Sequence, residues 1–89
     1  MSKKIIKAEG KFSETAIDDE IVVMQLASGE FFSLTGTART LWLLIDGTRT
    51  RDAVVAAAAA QYGVEAANIA ADADAFLAKL GAAGFLAAG

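Results

Sequence analysis

The chain has 89 residues, 55% of them apolar and 21% charged, with a formal net charge of −3 and no Cys, His or Pro. This length supports one small domain around a single core. Much of the apolar content is Ala, which buries little area, so a stability of only ~4–8 kcal/mol is expected from the usual yield per residue. The absence of Cys removes disulfides, thiol catalysis and Cys-ligated metals, and the absence of His removes the commonest general base and metal ligand. The negative balance gives no broad attraction to phosphate backbones. Four of the eight basic residues (Lys3, Lys4, Lys7 and Lys11) crowd into the first eleven positions, which leaves the body of the chain more acidic still.

Residues 1–11 are expected to form a flexible or loosely tethered arm, closed by Gly10, ahead of a domain spanning 12–89. The start, Met1-Ser-Lys-Lys-Ile-Ile-Lys, is basic but lacks an apolar core of signal-peptide length, and no run approaches the ~20 apolar residues that span a bilayer. A cytoplasmic protein with no membrane partner is therefore expected. Phe12 to Ala16 can form a short first strand, and Asp18-Asp19 marks a turn.

Glu20 to Leu26 and Glu30 to Leu34 then form a hairpin, joined by Ala27-Ser28-Gly29 as a three-residue loop with Gly in the left-handed position. That loop predicts a register in which Leu26 faces Glu30, Met24 faces Phe32 and Val22 faces Leu34. Alternation then puts Val22, Met24, Phe32 and Leu34 on the core face and Val23, Gln25, Phe31 and Ser33 on the other. The strand at 30–34 is apolar on both faces, which is unusual for a sheet edge. Such an edge is either covered by the chain itself or left open to another polypeptide, and the open reading is preferred.

Thr35 or Thr37 is expected to cap a first helix running to about Ile45, with Ala38, Leu41, Trp42 and Ile45 on its apolar stripe and Asp46-Gly47 at its end. Thr50 caps a second, Ala-rich helix from Arg51 to about Tyr62, with Asp52 in the first turn and Gly63 as the stop. The Ala run at 56–60 is low in complexity, and a helix accounts for it. The third helix is expected from about Glu65 to Leu80 or Ala82. Its stripe is Ile69, Ala73, Phe76, Leu77 and Leu80, with Asp72, Asp74 and Lys79 off its centre. Phe85 and Leu86 follow Gly84 and should fold back on the core. The order βββααα predicts an α+β fold with helices on one face of a small three-stranded antiparallel sheet.

The run Val22-Val23-Met24-Gln25, Gly29-Glu-Phe-Phe-Ser-Leu-Thr35, Leu41-Trp42 and Ile45-Asp-Gly47-Thr-Arg-Thr resembles the PqqD-like proteins, also called RiPP recognition elements. The later segment, Tyr62-Gly-Val, Ile69 to Asp72, Phe76-Leu77, Leu80 and Gly84-Phe-Leu86, is similar to the third helix and terminal turn of that family. The resemblance covers about residues 12–86. It implies a winged-helix-like fold and a non-enzymatic role in the biosynthesis of ribosomally made, modified peptides. Members hold the leader segment of a precursor peptide as an antiparallel strand and present it to a modifying enzyme or leader protease. On this chain the implied peptide-binding residues are Glu30, Phe31, Phe32, Ser33 and Leu34 on the strand, with Asp72, Ala75, Phe76 and Lys79 on the third helix. Two positions depart from the family pattern. Thr35 stands where Asn is frequent, which a helix cap tolerates. Ala27-Ser28-Gly29 replaces the Pro-Glu-Gly turn of the quinone-cofactor branch, so a stand-alone leader binder for another class, such as lasso peptides, fits at least as well.

Apart from the resemblance, the chemistry of an open edge agrees: a peptide gains main-chain hydrogen bonds there whatever its sequence, and side-chain pockets supply specificity. Small residues on the third helix, Ala71, Ala75 and Ala78, allow close approach. Enzyme readings find little support. Asp18-Asp19 and Asp72 with Asp74 do not place two carboxyls on one helix face, no Ser or Thr has a base beside it, and no phosphate-binding loop is present. No cofactor or metal is expected. A winged-helix DNA-binding module would share the fold, yet the third helix sets Asn68 and Lys79 against Asp72 and Asp74, a poor recognition surface. A homodimer paired through strand 30–34 is the remaining alternative.

Overall fold

The computed structural model describes residues 4–87. Three strands, β1 (Phe12–Ile17), β2 (Glu20–Gln25) and β3 (Phe31–Leu34), precede three helices, α1 (Gly36–Leu44), α2 (Arg51–Tyr62) and α3 (Ala66–Ala82). The sheet is antiparallel throughout, in the order β1-β2-β3. This is the expected α+β arrangement.

Asp18 and Asp19 make the two-residue turn between β1 and β2, Ile17 pairing with Glu20 and Asp18 taking a positive φ of 52°. The second hairpin departs from expectation. Ile21 pairs with Leu34, Val22 with Ser33, Val23 with Phe32 and Met24 with Phe31. The loop has four residues, Leu26 to Gly29, closed by hydrogen bonds from the Gln25 N–H to the Glu30 carbonyl (2.7 Å) and from the Gly29 N–H to the Gln25 carbonyl (2.8 Å). Gly29 sits at φ 78°, so the left-handed position was placed correctly. One extra loop residue slips the register by one, and a slip of one turns every β2 side chain to the other face. Ile21 and Val23 are therefore in the core, and Val22 and Met24, expected inside, point outward.

Thr35 occupies the N-cap position of α1 without a side-chain cap bond, whereas Thr50 Oγ1 accepts from the Ala53 N–H at 3.2 Å and caps α2. Leu41, Trp42, Leu44 and Ile45 from α1, Val54, Val55, Ala58 and Ala59 from α2, and Ile69, Ala73 and Leu80 from α3 join Ile21, Val23 and Leu34 in one core. At its centre Trp42 and Phe85 are fully buried, and Phe12, Phe32, Trp42 and Phe85 meet edge to face with centroids 5.2–6.2 Å apart. Edge-to-face contact sets the electropositive rim of one ring against the electron-rich face of the next.

The return of Phe85 depends on Gly84. It holds φ at 81°, and a Cβ there would lie 3.0 Å from Gln25 Nε2. That Nε2 donates to the Ala83 carbonyl at 3.0 Å, tying the end of α3 to the sheet. Residues ahead of β1 are tied down by backbone bonds from Ile5 N–H to the Arg49 carbonyl (2.9 Å), Ala8 N–H to Phe85 (2.8 Å) and Ala87 N–H to Ile6 (2.8 Å). Of the expected arm, residues 1–3 lie outside the described residues, as do 88 and 89 of the domain.

Candidate functional site

The backbone of β2 is used on both sides. Its Gln25 N–H donates to Glu30 on the β3 side, and the Leu26 N–H just beyond its end donates to Lys11 on the β1 side (3.1 Å). Bonded and non-bonded pairs alternate along an antiparallel ladder. Val23 thus bonds Phe32 and Ile21 bonds Leu34, while Val22–Ser33 and Met24–Phe31 are non-bonded pairs. The N–H and C=O groups of Phe31 and Ser33 consequently face away from β2, and β3 is the last strand of the sheet. An edge of this kind is a template for another strand. Glu30, expected within the binding strand, precedes β3 and turns its carbonyl to Gln25, so its backbone belongs to the hairpin.

The side chains of β3 divide cleanly. Leu34 is buried at 4% exposure and Phe32 is half-buried, packed edge to face on Phe85, as expected for residues that shape the strand from inside. Phe31 is 71% exposed and Ser33 exposed on the outer face. Nothing charged lies between Phe31 and Leu34, whereas the opposite edge strand, β1, carries Glu14 in its middle.

Asp72, Ala75, Phe76 and Lys79 form one stripe of α3 by their i, i+3, i+4, i+7 spacing. The structure brings the C-terminal end of that stripe to β3: Lys79 Nζ lies 5.4 Å from the centroid of the Phe32 ring. Phe76 is half-buried against the same core, and Ala75 and Asp72 are exposed. Ala75 and Asp72 lie ~6 and ~10 Å along the helix axis from Lys79 at 1.5 Å per residue. Asp74 points elsewhere. Its two carboxylate oxygens accept from Arg51 Nε and Nη2 at 2.7 Å each, and this bidentate pairing holds its pKa below the ordinary carboxylate value.

Sequence reasoning missed Met24. It was assigned to the core, but it is 38% exposed on the outer face directly opposite Phe31. It also missed Lys7, whose ammonium lies 4.1 Å from the Trp42 ring centroid, above an indole N–H that donates to Glu14 Oε2 at 3.0 Å. Burial pushes the Lys7 pKa below 10.5, against the opposing pull of Glu14, Glu9 and Asp46. A cavity of about 820 Å³ is lined by Lys7, Lys11, Gln25, Leu26 and Leu86, among others, and by no residue of β3. A strand edge is a rim of backbone groups and has no need of a cavity. Among the described residues no group of three Asp or Glu is placed to hold a metal, and no helix is long and apolar enough to cross a membrane.

The sequence matches the family "Coenzyme PQQ synthesis protein D (PqqD)" over residues 20–86, and the chain belongs to that family. The match begins at β2, leaving β1 outside it. A solved structure of TbiB1 in complex with the TbiA(beta) leader peptide is similar over 91% of this chain and 94% of that one, with a TM-score of 0.80 and 27% identity. No curated protein matches the chain.

Proposed function

We propose that this protein binds the leader segment of a ribosomally synthesised precursor peptide by strand addition to β3 and presents it to a modifying enzyme or leader protease. The observation that carries the reading is the unpaired backbone of Phe31 and Ser33 on an uncharged edge, bordered by the α3 stripe that ends at Lys79. Membership of the PqqD family supports it, as does likeness to a protein solved with a leader peptide on it. The chain then acts by holding a substrate, with the chemistry performed by its partner in the cytoplasm. With Ala27-Ser28-Gly29 at the turn, a peptide class other than the quinone-cofactor precursor fits at least as well. DNA binding is disfavoured because α3 exposes two carboxylates, Asp72 and Asp74, and carries a single basic residue, Lys79.

The test is a fluorescence-anisotropy titration with labelled N-terminal halves of the short reading frames adjacent to this gene. Saturable binding below ~10 μM, about −7 kcal/mol, supports the reading. Failure of all of them to bind would sink it, and sedimentation would then test pairing of β3 with a second copy.

A further inference from the structure

The β3 edge exposes side chains on both faces of the sheet, and this constrains the peptide that it takes. On the inner side Phe32 packs on Phe85 with the Lys79 ammonium across its ring, and Phe76, one turn back from Lys79 on α3, is half-buried on the same core. On the outer side stands Phe31, 71% exposed, with Met24, 38% exposed, directly opposite it on β2. Met24 and Phe31 form a non-hydrogen-bonded pair, the kind in which cross-strand side chains approach most closely. They make an apolar row running across the strands to the open edge, where it stops without a neighbour.

A strand laid on β3 continues that row. Its backbone must answer the outward N–H and C=O of Phe31 and Ser33, which fixes its pleat in phase with that of β3. The peptide residue beside Phe31 therefore points to the outer face, its neighbour beside Phe32 points to the inner face on the side of Lys79, and the residue beside Ser33 points outward again over a small polar side chain. Alternation makes this true whichever way the peptide runs.

We propose that this protein reads its peptide from both faces, with Phe31 and Met24 taking an apolar side chain on the outer face and with Phe32, Phe76 and Lys79 forming the groove that takes the adjacent residue. The recognised segment then carries two consecutive apolar residues flanked on the Ser33 side by a small or polar one. An edge read only from the groove would ask for apolar residues at every second position. This inference rests on strand addition at β3 and adds to it the identity of a second reading surface.

The test is selection from a phage-displayed library of random ten-residue peptides by the wild-type protein, by Phe31→Ser and by Ser33→Pro. Wild type is expected to enrich adjacent apolar pairs, and Phe31→Ser to lose the preference at one position of the pair while keeping the other. With the winning wild-type peptide resynthesised and fluorescein-labelled, Phe31→Ser should weaken binding about tenfold, or ~1.4 kcal/mol. Replacing the outer peptide residue by Ser should add nothing further in that variant, while replacing the groove residue should still cost affinity. Enrichment of strictly alternating apolar residues, or the same motif from Phe31→Ser as from wild type, would overturn two-faced reading and leave strand addition standing. No enrichment by wild type, or identical peptides selected by Ser33→Pro, would overturn strand addition and this inference with it.

Discussion

Phe31 and Ser33 carry no weight in the core, and their mutants should separate binding from stability. Phe31→Glu places a charge at the open edge and is expected to weaken leader binding at least tenfold with an unchanged far-UV spectrum; undiminished affinity would count against the site. Ser33→Pro removes a donor that faces away from β2, so it should reduce affinity while leaving the melting temperature within a few degrees of wild type. A large loss of stability would mean that this N–H is paired inside the sheet. Trp42 is the opposite case. It is fully buried between Phe12 and Phe85, its indole N–H is answered by Glu14, and Lys7 lies over its face. Trp42→Ala should cost about 3–5 kcal/mol in a denaturant titration, as other large-to-small core changes do. A stable, folded variant defective only in binding would show that Trp42 serves the ligand.

Among the elements, α2 and α3 are joined on the solvent side by Arg51 and Asp74. Arg51 bonds Asp74 at both oxygens and Asp52 at one, at 2.7–2.8 Å. Because Arg51 lowers the Asp74 pKa, the pair stabilises the fold above the ordinary value of 3.8, and the contribution is lost as pH falls through the lower, folded value. Asp74→Asn is therefore expected to melt below wild type at pH 7 and together with it near pH 2. A difference that persists in acid would assign the effect to packing. Asp46 follows the same sign, its carboxylate favoured by the Thr48 hydroxyl and N–H and then by Arg49. Lys7 has the reverse sense. Its lowered pKa means that folding disfavours the charged form, a cost relieved as pH rises toward 10.5.

At the scale of the whole molecule, the segments ahead of β1 and after α3 hold each other. Lys7 bridges Leu86 beyond α3, and Lys4 bridges Thr50 at the entry to α2. Deleting residues 1–9 removes the three backbone bonds that join Ile5, Ile6 and Ala8 to Arg49, Ala87 and Phe85, together with the ammonium over Trp42. At a net ~0.5–1.5 kcal/mol for each bond, partly offset by water, the truncated chain should lose about 1–4 kcal/mol. That corresponds to a fall of ~5–25 °C in melting temperature for a domain of this size. Peptide affinity should stay the same, since this segment bonds Arg49, Phe85 and Ala87 and none of the β3 residues. An unaltered melting curve would return residues 1–9 to the status of a loose arm.

The element order, the three helices with their stops, the burial of Trp42, Ile69, Leu80 and Phe85, and the choice of β3 as the exposed edge were all legible in the residues. Each depends on local signals: a period of 3.6, a capping Thr, a Gly at positive φ, an apolar strand without charges. The register of the second hairpin was not legible. Leu26 suits either a strand end or a loop, and Val22, Val23 and Met24 are apolar on both faces, so alternation gave no phase. Only the pairing of Gln25 with Glu30 fixed it, and with it the exposure of Met24 and the direction of the Phe31 and Ser33 amides. The meeting of Lys79 with Phe32, and of Lys7 with Trp42, joins residues 47 and 35 positions apart by tertiary packing. No spacing rule reaches across such distances. The sequence by itself determined that β3 is an apolar strand at an edge; the tertiary structure decided which backbone groups and side chains it presents, because those follow from a cross-strand phase that two-sided apolar strands do not encode.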